Sequence, residues 1–307
     1  MLKYILRRLL LSIPVLIGIS LITFFLIYFL PADPARMYAG PNASVETVAR
    51  IRQQLGLDDP PWIQYGRYLF RAVQGDLGFS YHLQLPVTRA LMSRIPYTFL
   101  LIVFGIMVEL LIGLPVGFVS ALRQYSRWDR AGMAIALLGV SVPPFWLGLL
   151  LLFWFSFLIP IFPLGGAGTP AHLVLPALTV GLGGAAWYAR MTRSSTLEVL
   201  GSDYVRTAYA KGLGESAVLY RHIMRNALNP IVTMIGMDIP WFIGGVVLVE
   251  QVFAWPGIGR MAVEAIIQVD IPLIMGTVIF TAVLVVVSSI MIDIAQAILD
   301  PRIREQV

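Results

Sequence analysis

The sequence predicts an all-α polytopic membrane protein with six transmembrane helices and both termini in the cytoplasm. Three observations carry that prediction. Of 307 residues, 58% are hydrophobic and only 13% charged, and the mean hydropathy is +0.81; this excludes a soluble globular enzyme and a disordered regulator. Six stretches are apolar over the roughly 20 residues that a helix rising about 1.5 Å per residue needs to cross about 30 Å of hydrocarbon. Lys and Arg gather in alternate connections rather than evenly.

The spans run over 9–30, 98–122, 132–159, 172–189, 231–253 and 273–298. The first follows Lys3, Arg7 and Arg8. It is too long for the apolar part of a signal peptide and no A-x-A site follows it, so it reads as an uncleaved span. Residues 31–97 form an extracytoplasmic segment too long to be a mere connector. It packs over the outer mouth or seats a partner. Within it Ser44 can cap a short helix that Gly56 stops, with Val48, Ile51 and Leu55 near one face. The second span carries Gly113 and Gly117, a spacing that lets another helix approach closely. Pro115, Pro143 with Pro144, Pro176 and Pro240 fall in spans two to five. Each removes a helical hydrogen bond and is expected to kink its span. These residues fit plain bundle packing and equally a bundle that rearranges around a pathway.

Orientation follows the basic residues. The N-terminus, the 123–130 loop, the 190–230 segment and the tail together hold fourteen; the 160–171 loop has none and the 254–272 loop only Arg260. The domain reading is therefore 1–30 (cytoplasmic tip and first span), 31–97 (extracytoplasmic), 98–300 (five-span core, including a cytoplasmic segment at 190–230) and 301–307 (cytoplasmic tail).

The 190–230 segment contains two helical patches, about 202–211 and 215–228, separated by Gly212-Leu213-Gly214. Ser202 can cap the first, with Asp203 well placed against the helix dipole. Ala208 and Gly212 stand four apart, which would put two small residues on one face for close docking into another protein. An interfacial helix on anionic lipid fits the same composition.

Absences restrict the chemistry. There is no G-x-x-x-x-G-K-[ST], no G-x-S-x-G and no H-E-x-x-H, and the only lysines are Lys3 and Lys211. Any ATP used must bind another polypeptide. There is no cysteine, and His82, His172 and His222 lack ligand-like spacing, so no metal site is expected.

With these residues in view, Asp203-Tyr204-Val205-Arg206-Thr207-Ala208-Tyr209-Ala210-Lys211-Gly212-Leu213 resembles the cytoplasmic signature of ABC-importer permeases of the dipeptide, oligopeptide, glutathione and nickel group, and Arg225–Pro230 resembles its end. Against the general EAA loop, Arg206 replaces the glutamate, Thr207 replaces the first alanine, and Pro230 lies five residues late; the peptide branch has this longer form. Leu30–Arg36, Gly75-Asp76-Leu77-Gly78, Val249–Gly259 and Leu299-Asp300-Pro301-Arg302 are similar to further motifs of the same family, in the same order, so the resemblance covers nearly the whole chain.

The resemblance implies the type I importer permease fold in a bacterial inner membrane. It implies a non-catalytic subunit that imports small peptides or related solutes by alternating access. The partners would be a second, homologous permease, two ATPase subunits that bind ATP and magnesium, and an extracytoplasmic solute-binding protein, with no nucleic acid and no cofactor in this chain. Coupling to the ATPases would fall on Arg206, Thr207, Ala208, Lys211, Gly212, Leu213 and Pro230. Trp255, Pro256 and Gly257 would form an extracytoplasmic gate or docking element.

Four carboxylates fall in or near spans. Glu250 and Asp293 resemble family positions and read as structural partners of arginine or backbone. Glu109 and Asp238 are the candidates for lining the translocation cavity and favouring a cationic group, because an acid in lipid must face protein or water. An ion-coupled secondary transporter acting without ATPase subunits is the alternative; six spans and the docking segment disfavour it. A membrane-embedded enzyme lacks any nucleophile or metal constellation here.

Overall fold

The computed structural model describes residues 2–29, 33–40 and 42–299, without the side chains of 2–5 and 295–299. Leu30-Pro31-Ala32, Asp300-Pro301-Arg302 and the 301–307 tail lie outside the described residues. In chain order the helices begin with α1 (Leu2–Tyr28), α2 (Pro34–Ala39), α3 (Val45–Leu55) and α4 (Pro61–Val73). A two-strand ribbon follows, β1 (Phe79–Ser80) and β2 (Leu85–Pro86), and then α5 (Val87–Leu122), α6 (Arg127–Ser141) and α7 (Pro144–Leu152), the last continued by a π-helical turn to Leu158. After α8 (Ala171–Leu200) come α9 (Asp203–Ala210), α10 (Glu215–Val218), a π-turn over Leu219–Met224, α11 (Arg225–Ala227), α12 (Asn229–Gly245) and α13 (Val247–Val252). The chain closes with α14 (Ile258–Ile267) and α15 (Ile271–Leu299).

Among the described residues five helices are long and apolar enough to cross a membrane. The third expected span, 132–159, is not one straight helix. It is a bent pair, Arg127–Ser141 and Pro144–Leu158, with 100° between its halves. The cause is local. Pro143 and Pro144 hold Val142 (φ −89°, ψ 123°) and Pro143 (φ −60°, ψ 131°) extended, because a residue before proline is driven from the helical region. By contrast, α8 and α12 run as helix through Pro176 and Pro240. The second span begins earlier than expected, since α5 reaches back to Val87.

Two compact units emerge, 1–98 with 256–307, and 99–255. In the first, α1 packs along α15, and Arg8 pairs with Asp293 at 3.2 Å. One side of α1 is covered, with Ser20 buried against the Tyr65 hydroxyl at 2.8 Å, and the other is open, with Leu10 and Leu26 each 65% exposed, an apolar surface that suits lipid. The expected helix at 45–55 forms: the Ser44 hydroxyl accepts from the Thr47 amide at 3.2 Å, and Gly56 ends it in the left-handed region. Asp33 caps α2 and pairs with Arg52 of α3 at 2.8 Å. Burial would raise its carboxyl, but the Arg52 guanidinium and the Ala35 amide outweigh that and hold it below its ordinary value. Asp270 caps α15 by accepting from the Leu273 amide (3.2 Å), and it also accepts from the Ser80 hydroxyl (2.6 Å) and the His82 amide (3.0 Å), fastening the ribbon to the last span. Leu77, Val87, Leu91, Met261 and Leu273 form the core beneath it.

In the second unit the core is Leu101, Leu175, Val180, Phe242, Val249 and Phe253. Lipid tails are as apolar as these side chains, so tight packing and hydrogen bonds hold such a bundle rather than water exclusion. The close approach expected at Gly113 and Gly117 is present. A Cβ on Gly113 would sit 2.5 Å from the Tyr188 Cβ, and one on Gly117 would sit 2.6 Å from the Ala189 oxygen, both on α8.

Candidate functional site

A cavity of ≈ 520 Å³ opens in the second unit, walled by α5, α8 and α12 and by the bend between α6 and α7. Glu109 and Asp238, picked out by the sequence, both line it. Glu109 comes from α5 and is 3% exposed. Its carboxyl occupies the space left by Gly184 of α8, where a Cβ would fall 1.5 Å from Oε1. Its other oxygen, Oε2, is buried without a hydrogen-bond partner. One turn beyond Gly184, the Tyr188 hydroxyl donates to Asp238 Oδ2. The α8 helix thus serves both acids, one through a missing side chain and one through a phenol. Trp187, Trp241, Met234 and Met237 line the same space, and no arginine or lysine does so among the described residues. The Arg190 guanidinium on α8, which is not a lining residue, lies 5.1 Å from the centre of the Trp187 ring.

The second predicted group lies on α9 and the turn after it. Arg206 pairs with Asp203 at 3.8 Å on an almost fully exposed surface, a pair that contributes little to stability. The Thr207 hydroxyl donates to the Asp203 oxygen at 2.9 Å. Ser202 occupies the cap position, but its hydroxyl donates to the Val199 oxygen at 2.6 Å instead of receiving a helix amide. Ala208 and Gly212 do not share a face. The α9 helix ends at Ala210, before the four-residue arithmetic reaches Gly212. Ala208 is buried with Val205, Val218 and Ile223, whereas Gly212 is exposed with open space around it.

Gly212 has a different task. With φ +79° it is the left-handed residue after the Lys211 cap. Its amide donates to the Tyr209 oxygen (2.9 Å), and the Leu213 amide donates to the Ala208 oxygen (3.3 Å). These two bonds make the Schellman ending that glycine favours. Lys211 and Leu213 stay exposed beside it, and Pro230 sits in the first turn of α12, where its missing amide costs nothing. The Ser195 hydroxyl donates to the Ala227 oxygen at 2.8 Å, fixing the far end of the segment to α8.

Trp255, Pro256 and Gly257 are not presented as an open surface. Trp255 is 3% exposed, sits in the core with Val249 and Phe253, and its amide donates to the Glu250 oxygen at 2.8 Å. Gly257 is buried at the start of α14, and Pro256 is half-buried. Glu250 is fully buried. The expected arginine partnership holds for Asp293, through Arg8.

Sequence reasoning missed Tyr188, Gly184 and the two tryptophans of the cavity. The Gly183-Gly184 pair was a signal for close approach, but Tyr188 and Asp238 are fifty residues apart and no spacing rule joins them.

Residues 113–305 match the family model described as "binding-protein-dependent transport system inner membrane component", and residues 1–102 match that for the N-terminal region of such membrane components. The chain is 41% identical over 314 residues to the oligopeptide transport system permease protein AppB of Bacillus subtilis, covering 99% of each chain. It is 40% identical over 305 residues to the glutathione transport system permease protein GsiC of Salmonella paratyphi A, again over 99% of each. A putative peptide transport system permease protein of Brucella abortus is 42% identical over 308 residues, 98% of each chain. Among solved structures, a chain of the MetNI methionine ABC transporter in inward-facing conformations has the same fold, with a TM-score of 0.53, 20% identity, and coverage of 71% of this chain and 96% of that one.

Proposed function

Because the chain belongs to the family of inner membrane components of binding-protein-dependent transport systems, we propose that it is one of two permease subunits of an ATP-driven importer of small peptides, glutathione included. The observation that carries the reading is full-length likeness at about 40% identity to permeases named for those solutes, joined to an acid-lined cavity inside the helical bundle. The subunit itself is non-catalytic. A homologous permease completes the pathway in a bacterial inner membrane. Two ATPase subunits bind ATP and magnesium, and a solute-binding protein delivers cargo from outside.

The division of labour follows the chain. Residues 31–97 face outward, 98–300 form the moving core, and 190–230 meets the ATPases. On that segment Arg206, Thr207, Lys211 and Leu213 supply the exposed surface. Ala208, Gly212 and Pro230 shape it, through burial, the helix ending and the α12 entry respectively. The turn at Trp255, Pro256 and Gly257 serves on the outward side as a gate or docking element. ATPase closure pushes on α9, and the bundle shifts between two arrangements of its broken third span, as a two-state element biased by a bound partner.

The test is co-expression of this chain with its neighbouring permease and ATPase subunits. The complex should purify intact and show ATPase activity stimulated by the peptide-loaded binding protein. A chain that purifies without ATPase subunits would contradict the reading.

A further inference from the structure

The cavity at Glu109 and Asp238 has a chemistry that transport in general does not require. Its charged lining residues are two carboxylates, with no lysine or arginine among those described. Its remaining polar groups do not satisfy both acids. Tyr188 serves Asp238, while Glu109 Oε2, on a side chain 97% buried by its 3% exposure, has no partner. A buried acceptor left unpaired is costly, and more so within a bilayer. Two indole rings, Trp187 and Trp241, stand at the same cavity, and aromatic faces attract cations. A volume of ≈ 520 Å³ is in the range that holds a small organic ligand.

We propose that this cavity is a receptor for an organic cation: the ammonium group of the transported solute, held between Glu109 and Asp238 and flanked by Trp187 and Trp241. The ammonium donates to Asp238 and, once the Glu109 side chain turns toward the cavity, to Oε2 as well. Tyr188 is a positioning residue that keeps Asp238 turned toward the site. Gly184 gives the Glu109 carboxyl its room. The permease then adds its own selection for positive charge after the binding protein has released its cargo. The inference rests on reading this cavity as part of the solute path.

The test uses the assembled transporter complex in detergent without its binding protein. Dansylcadaverine, which carries a primary ammonium, is titrated and followed by its fluorescence, with neutral dansylamide as the control. The amine should bind the wild-type complex with an affinity lowered at least tenfold by Glu109→Gln and by Asp238→Asn, while dansylamide binding is unchanged. Trp241→Ala, at a residue 74% exposed, should weaken the amine about threefold, and it tests the site without disturbing a buried group. Equal amine affinity in wild type and in all three variants would overturn the proposal, as would a wild type that binds dansylamide as well as the amine. Uptake of dialanine by the wild-type complex with its binding protein, measured in parallel, separates the two ideas. Amine binding as described without peptide uptake refutes the peptide importer alone. Peptide uptake with unchanged amine affinity in the variants refutes the receptor alone.

Discussion

Arg193 of α8 donates two hydrogen bonds to Asp129 near the start of α6, from Nε at 2.7 Å and from a terminal nitrogen at 2.9 Å. The same carboxylate accepts from the Tyr125 amide at 2.9 Å, while its own amide donates to the Ser126 cap at 3.2 Å. One buried acid therefore fixes the turn, the helix start and the neighbouring helix. Removing one partner of such a pair strands the other. Asp129→Ala should lower stability by about 3 kcal/mol, read as a lower heat-inactivation midpoint in detergent. Asp129→Ala with Arg193→Met should recover much of the loss. A single variant as stable as wild type would show that the pair does not hold α6 to α8.

The glycines on α5 make a steric prediction. Gly113→Ala and Gly117→Ala would place a methyl group 2.5–2.7 Å from atoms of α8. Each should destabilise by about 1–3 kcal/mol, the usual range for overpacking. Gly244→Ala on α12, with nothing within 4 Å of the new methyl, should be neutral to within about 1 kcal/mol or slightly stabilising, since alanine favours the helix. Thermal midpoints of the three complexes decide between packing and chance spacing.

Coupling should divide by burial. Leu213→Asp and Arg206→Glu alter exposed side chains, so the complex should fold while ATPase stimulation by loaded binding protein falls severalfold. Ala208→Leu should act differently. The added carbons meet Val205, Val218 and Ile223, and the segment itself should loosen, seen as faster proteolysis after Arg206 or Lys211. Wild-type stimulation in Leu213→Asp and Arg206→Glu would remove this surface from coupling.

The Tyr81 phenol is pushed up to about 12 by burial first, then by Asp270 and Tyr38. A phenol that ionises later in the folded protein than in the unfolded chain keeps its proton longer when folded. Its contribution to stability is complete below about pH 10, the ordinary tyrosine value, and is lost as pH rises from there toward 12. Tyr81→Phe should flatten the alkaline loss of stability over that window. In ultraviolet titration at 295 nm it should remove a phenol that ionises only near the top of the window. An unaltered alkaline limb would show that Tyr81 is not shielded as described.

Much of the architecture was legible because it depends on composition and near neighbours. Apolar runs located the spans, Ser44 and Gly56 bounded a helix through local hydrogen bonds, and Gly113 with Gly117 announced a close contact. The third span was legible as an apolar run interrupted by Pro143 and Pro144, but the size of its bend was not, because hydropathy counts apolar residues without regard to direction and the two prolines turn the chain through 100° while it stays apolar. The ribbon at Phe79–Pro86 was invisible because its anchor, Asp270, lies some 190 residues away. Helix spacing also misled at Ala208 and Gly212. It assumed a helix that the glycine itself ends. Glu109 and Asp238 stood out by sequence as acids in apolar surroundings, but that they share one cavity is a property of the packing of α5, α8 and α12.

As proposed, this chain is a conduit driven by ATP that partner subunits hydrolyse. The direct measurement is uptake of labelled dialanine into proteoliposomes containing either this chain alone or the full set of two permeases, two ATPase subunits and binding protein. Accumulation should require every component and internal or external ATP at the nucleotide-binding side. Concentrative uptake by this chain alone, driven by an ion gradient without ATP, would contradict the account.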